Sequence, residues 1–138
     1  MPWKSLKNAL FFNAAVCALI GAVLIVDATP VAALAGAYAG AIPPWVCVLG
    51  GAALLLFALD LAWVGSRRPI PLTFVRLLNA ADAAWVLVTP VVMIAAAPWL
   101  SHLGQLLLAD LALITAFCVW CQWRGLHRAR SAPVQVSQ

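Results

Sequence analysis

Four long apolar runs constrain this chain more than any other feature of its sequence. They cover residues 9–26, 45–64, 74–97 and 106–123, and each is close to the roughly 20 residues with which an α-helix crosses about 30 Å of hydrocarbon. Backbone polar groups cannot stay unpaired in lipid, so each run is predicted to be a helix. The runs do not alternate as barrel strands do. The predicted fold class is therefore all-α, a polytopic membrane protein with four transmembrane helices in an up-down bundle.

Composition favours lipid over water as the solvent of this fold. The 138 residues are 66% hydrophobic and 9% charged, against about 25% charged in ordinary soluble domains. A soluble chain of this length could not bury so much apolar surface in one core. We expect one transmembrane domain over residues 1–130 and a flexible cytoplasmic tail over residues 131–138. The first run is longer than a signal-peptide core of about 7–15 residues, so it is interpreted as a retained span.

Positive charge predicts how the chain is threaded. The basic residues precede the first run, lie in or just beyond the connection between the second and third, or follow the fourth: Lys4, Lys7, Arg67, Arg68, Arg76, Arg124, Arg128 and Arg130. Because Lys and Arg stay on the cytoplasmic side, both termini are predicted to be cytoplasmic in a bacterial-type inner (plasma) membrane. The net charge of +4 favours anionic inner-leaflet lipid as a partner. These charges are too few and too dispersed for a nucleic-acid partner.

Tryptophans support the same frame, because indole prefers the membrane–water interface. Five are predicted interface anchors, at the inner ends of runs (Trp3, Trp63, Trp123) or at the outer ends (Trp45, Trp99). Between the first two runs, proline and small residues predict a short interfacial segment over residues 29–41 on the outer surface.

A faint internal repeat is also present. The second run ends with Phe57, Trp63, Gly65 and Arg68, and the fourth ends with the same residue types at the same spacing: Phe117, Trp123, Gly125 and Arg128. This pattern indicates a duplicated two-helix hairpin, with copies related by an axis along the membrane normal. Chance similarity within alanine-rich sequence is the alternative.

Charged residues inside the runs need a physical reason, because an ionised group in hydrocarbon is costly. Asp60 and Arg76 flank the short connection between the second and third runs, which predicts an ion pair between them. Asp82 lies deeper and needs a hydrogen-bond partner or a proton. We predict an inner-half polar layer made by Asn13, Asp60, Arg76, Asn79, Asp82 and Gln122. This layer is interpreted either as a structural clamp or as a site for a ligand, a proton or a partner.

The residues favour a role without catalysis, and no metal site or cofactor is predicted. We expect a small accessory or assembly subunit, held in a membrane complex with another membrane protein or with itself. The alternative is a binder or transporter of a small apolar molecule, a quinone or a lipid, that uses the inner-half polar layer. A third hypothesis is a membrane thiol redox enzyme, because Cys118 and Cys121 have the spacing of a redox pair. That pair is predicted to lie in the inner half, whereas disulfide chemistry needs the oxidising side.

Overall fold

The computed structural model describes residues 2–130, with side chains described for residues 6–128. All regular secondary structure in this part of the chain is helical, which confirms the all-α part of the predicted fold class. Five helices follow one another: α1 (Pro2–Val26), α2 (Ala28–Ala35), α3 (Pro44–Ser66), α4 (Leu72–Ala95) and α5 (His102–Arg130). The predicted tail, residues 131–138, lies outside the described residues.

Helices α1, α3, α4 and α5 are long and apolar enough to cross a membrane. Helices α1, α3 and α5 each contain one of the predicted runs, whereas α4 ends two residues before the third run does. Helices α1 and α5 extend several residues beyond their runs. The 29 residues of α5 measure about 43 Å along the axis, against about 30 Å of hydrocarbon. Its last turns carry Arg124 and Arg128, where cations interact favourably with the carboxyl end of the helix. Helix formation therefore continues past the apolar run.

Lateral packing gives the four long helices the order α3, α1, α5, α4. Helix α1 packs along α3 on one side and along α5 on the other, and α4 packs along α5. Although they are consecutive in the chain, α3 and α4 make few contacts. The up-down bundle, in which these two helices would also pack closely, is not confirmed.

Helices α1 and α3 approach each other closely where they cross. A Cβ atom added to Gly21 would lie 2.8 Å from the carbonyl oxygen of Gly51, and one added to Gly51 would lie 2.6 Å from the carbonyl oxygen of Gly21. Small residues let helix backbones approach closely, and lipid-embedded helices depend on this packing because burial from water does not drive their association.

The two glycines of the internal repeat both pack on α1. A Cβ atom on Gly65 of α3 would meet Phe11 and Leu10, and one on Gly125 of α5 would meet Leu6. In a duplicated hairpin, Gly125 would be expected to pack on α4, the helix that matches α1. The duplication is therefore not confirmed.

At the outer end, α2 occupies part of the predicted interfacial segment 29–41 and packs on α3 and α5. The chain after α2 is tied to the connection before α5. Ala37 N–H donates to the Trp99 carbonyl at 2.9 Å, and Ser101 N–H donates to the Ala35 carbonyl at 2.8 Å. The Ser101 hydroxyl adds a bond to the Leu34 carbonyl at 2.7 Å. These bonds join two outer connections that are far apart in sequence.

The larger buried apolar cluster lies toward the opposite end, where α1 is in the middle of the helix row. It includes Leu6, Leu10, Ala14, Leu61, Val64, Val75 and Leu126. The cluster fixes the four long helices against one another in this half of the fold. Buried polar side chains lie beside it.

Candidate functional site

Three residues of the predicted inner-half polar layer are buried, on three different helices. Asn13 of α1 is 2% exposed, Asp82 of α4 is 6% exposed and Gln122 of α5 is fully buried. Their helices are neighbours in the order α1, α5, α4, so polar groups enter the interior of this half of the fold from three sides.

A hydrogen bond joins two of these helices directly. Asn13 Nδ2 donates to Asp82 Oδ2 at 2.7 Å, although no Cα atoms of α1 and α4 lie within 8 Å of each other. The Cys17 thiol, one turn further along α1, donates to Asn13 Oδ1 at 3.5 Å. Asn13 is therefore held from two sides while it bonds to the carboxyl group of Asp82. This contact explains how a carboxyl group is accommodated in the middle of α4.

Other buried polar atoms have no hydrogen-bond partner in the described chain. They are both side-chain amide atoms of Gln122 and the Oδ1 atom of Asn79. Leaving a buried polar atom unpaired costs about 1–3 kcal/mol, and such atoms are uncommon in folded proteins. Gln122 is fully buried, so of these atoms only Asn79 Oδ1, on a half-buried residue, marks a position where a bound molecule or a neighbouring chain would gain a hydrogen bond.

Asn79 also lines a groove of about 400 Å³ between α4 and α5, which we call the α4/α5 groove. Its walls are formed by Arg76, Asn79, Ala80, Ala83, Trp123, Leu126 and His127. The lining residues of α4 lie on one side of that helix. Two of them are alanines, whose small side chains leave the groove open. On α4 the groove lining runs from Arg76 to Ala83, the residue after Asp82, and Arg76 is its arginine.

The predicted ion pair between Asp60 and Arg76 is wrong. Both side chains are exposed, and neither forms an ion pair with a described residue. The prediction assumed that helices joined by a short connection pack side by side. Instead α3 packs on α1, and α4 packs on α5. Arg76 therefore lines the α4/α5 groove, while Asp60 lies on α3, at the opposite edge of the helix row from α4.

Four of the five predicted tryptophan anchors have described side chains, and all four are exposed: Trp45, Trp63, Trp99 and Trp123. Trp3 lies outside the described side chains. At the inner end of α3 the guanidinium of Arg67 lies 4.4 Å above the Trp63 ring, which is a cation–π geometry. The exposed indoles remain predicted interface anchors.

Cys17 is the only cysteine in the described chain with a hydrogen bond to the buried polar cluster. Cys17, Cys47, Cys118 and Cys121 are free thiols, and Cys118 is 1% exposed. A buried thiol packs as a small hydrophobe, and a thiol that exchanges with another protein has to be accessible. The burial of Cys118 therefore gives the thiol redox hypothesis no support.

Sequence reasoning missed one member of the buried polar cluster and the glycine crossing. Cys17 follows Asn13 by four residues, so it shares a helix face with Asn13, and that spacing was the available signal. Gly21 and Gly51 gave no signal of their own, because nothing in either helix sequence shows which glycines face each other. Comparison with protein-family models, curated proteins and solved structures gives no match for this chain. Its role is inferred from its own residues.

Proposed function

We propose that this chain is a small, non-enzymatic subunit of a membrane assembly, formed with itself or with another membrane protein. The observation that carries the proposal is the position of Asp60, a carboxyl group that faces outward from a helix long and apolar enough to span a membrane. The proposed location is an inner (plasma) membrane, with both termini in the cytoplasm.

Asp60 lies six residues before Ser66, the end of α3, which is about 9 Å along the helix axis. Its outward neighbours on the same face are Leu56, 65% exposed, and Trp63, 47% exposed. It forms no hydrogen bond or ion pair with a described residue. A charged group facing hydrocarbon costs up to about 2.5–3.5 kcal/mol at the bilayer centre on insertion scales, and less near the interface. A second chain against this face would remove that cost.

A second acidic residue is exposed on another helix. Asp110 lies eight residues after His102, where α5 begins, or about 12 Å along the axis. Leu106, Leu113 and Ile114 share its face and are also exposed. Charged residues within membrane spans almost always face other protein or water. The exposed carboxyl groups on α3 and α5 therefore support the proposal that other chains cover these two helix faces in the working protein.

The experiment compares the particle mass of the wild-type protein with that of Asp60→Asn. Extraction from native membranes in a mild detergent, followed by native mass spectrometry, should give a particle heavier than one chain of 14.6 kDa. Asp60→Asn should reduce the assembled fraction, because the partner group that pairs with the carboxylate loses its charge interaction.

Asp27→Asn is the matched control, because Asp27 is also exposed but precedes α2, outside the long helices. This variant should assemble like the wild type. A wild-type protein that remains a single chain in mild detergent, and that forms no cross-links in intact membranes, would overturn the proposal.

A second candidate function is favoured by the α4/α5 groove. Its volume of about 400 Å³ is within the range of small-molecule sites. Arg76 offers a donor at the inner end, and the unpaired Asn79 Oδ1 offers a buried acceptor. The ligand would be a small amphipathic molecule such as a quinone or lipid, with its polar end at these two residues.

The buried acceptor at Asn79 discriminates between oxidation states of a quinone probe. A quinol has hydroxyl donors for Asn79 Oδ1, whereas a quinone has only acceptors. A short-chain quinol should therefore raise the melting temperature of the purified protein more than the quinone does, and Asn79→Leu should remove the difference. Equal shifts with both forms would exclude Asn79 Oδ1 as the contact, and no shift with either would exclude this candidate.

A further inference from the structure

A second groove, between α1 and α5, has a different chemical character. We call it the basic groove, and its volume is about 380 Å³. Its walls include Asn8 and Phe12 of α1 and Phe117, Trp120, Arg124 and Arg128 of α5. Helix α5 separates it from the α4/α5 groove, because α1 and α4 pack on different sides of α5.

Positive charge is concentrated at one end of the basic groove. Arg124 and Arg128 are four residues apart, so they lie one above the other on the same face of α5. Both are exposed, and Asn8 faces them from α1 with an exposed amide. None of the chain's four acidic side chains lines this groove. The two guanidinium groups are therefore not neutralised by a carboxylate in the groove.

Aromatic surface lies further along the same groove. Phe12 is four residues beyond Asn8, which is about 6 Å along α1, and Phe117 is seven residues from Arg124, which is about 10 Å along α5. Both rings are more than half exposed, at 53% each. Trp120 lies between the two regions, and the Arg124 guanidinium sits 4.7 Å above its ring. From the helix ends toward the membrane interior, the groove changes from cationic to aromatic.

We propose that the basic groove binds an anionic phospholipid. The phosphate accepts hydrogen bonds from Arg124 and Arg128, the Asn8 amide contacts the headgroup, and the acyl chains lie along Phe12 and Phe117. Guanidinium groups match phosphate oxygens in geometry and charge. The aromatic continuation favours a lipid over a soluble phosphate ester, because only the lipid gains contact along the whole groove. This binding site is independent of the proposed subunit role.

The proposal is tested by native mass spectrometry of the full chain titrated with phosphatidylglycerol or phosphatidylcholine of the same acyl length. The wild type should retain phosphatidylglycerol preferentially. Arg124→Gln/Arg128→Gln should weaken phosphatidylglycerol binding roughly 30-fold, from about 1 kcal/mol for each arginine near an anionic lipid. Phosphatidylcholine binding should change much less.

Arg67→Gln/Arg68→Gln is the matched control, because it removes the same charge from exposed residues at the end of α3, outside the groove. It should leave the preference nearly unchanged. Asn8→Asp provides a second variant at an exposed position, where the introduced carboxylate should compete with the lipid phosphate for the two arginines and lower the affinity.

Three results would overturn the proposal. Equal losses in both arginine pairs would show attraction to the whole basic surface instead of a site. Unchanged binding in Arg124→Gln/Arg128→Gln would show that the groove is not used. Displacement of the lipid by millimolar inorganic phosphate would assign the site to a soluble anion.

Discussion

Gly51→Ala tests the helix crossing that sets the position of α1 against α3. The new Cβ atom would lie 2.6 Å from the carbonyl oxygen of Gly21, 2.8 Å from Ile25 Cγ1 and 3.0 Å from Leu24 Cβ. Ordinary contacts begin near 3.4 Å, so the two backbones have to separate by up to about 0.8 Å. A close-packed interface transmits such a shift to its neighbours. Overpacking of this kind costs about 1–3 kcal/mol.

Gly50→Ala is the matched control for that prediction. A Cβ atom at Gly50 meets nothing within 4 Å, and both substitutions gain the same helix propensity of roughly 0.8–1 kcal/mol. The difference between the two variants therefore isolates the clash. We expect Gly51→Ala to be less stable than Gly50→Ala by about 1–3 kcal/mol.

The measurement is reversible unfolding in mixed detergent micelles, followed by circular dichroism or by the fluorescence of the seven tryptophans. Gly21→Ala should also destabilise, since its Cβ atom would lie 2.8 Å from the Gly51 carbonyl oxygen. If Gly51→Ala unfolds at the same detergent fraction as Gly50→Ala, or later, then α1 and α3 do not cross at these glycines.

Three further predictions follow from the buried bond, the outer connections and the charge pattern. Asn13→Ala removes the hydrogen bond to Asp82 and should lower the free energy of unfolding by about 1–3 kcal/mol. In the same assay the control Asn8→Ala, at an exposed position, should change the free energy of unfolding by less than about 0.5 kcal/mol. Equal effects of the two variants would argue against the bond. Ser101→Ala loses both the bond that the hydroxyl donates to the Leu34 carbonyl and the bond that it accepts from Gly104 N–H at the start of α5. It should cost about 1–2 kcal/mol, with faster proteolysis of the two connections; unchanged proteolysis and stability would contradict this. Alkaline phosphatase fused to either chain end should be inactive in intact cells, because the positive charges are predicted to be cytoplasmic; an active fusion would reverse the threading.

Local composition determined the four long helices. Hydrogen-bonding requirements in hydrocarbon leave an apolar run of about 20 residues few other conformations, so residues 9–26, 45–64, 74–97 and 106–123 could be recognised without knowing their neighbours. The same logic selected all six residues of the predicted polar layer; Asn13, Asp82 and Gln122 are buried, whereas Asp60 and Arg76 are exposed. Both inferences use only the residue types within one run, and neither requires knowing which helices touch.

Which helices touch was decided only by the tertiary structure. Chain order predicted that α3 packs on α4 as well as on α1, and it paired Asp60 with Arg76. Among the long helices, however, α3 packs closely only on α1, where Gly21 and Gly51 cross. Lipid-embedded helices gain no hydrophobic energy from associating, so small differences in shape and hydrogen bonding choose the partners. Those differences involve side chains far apart in sequence, as in the bond from Asn13 to Asp82. For the same physical reason both grooves, each formed by two separate helices, became visible only in the folded chain.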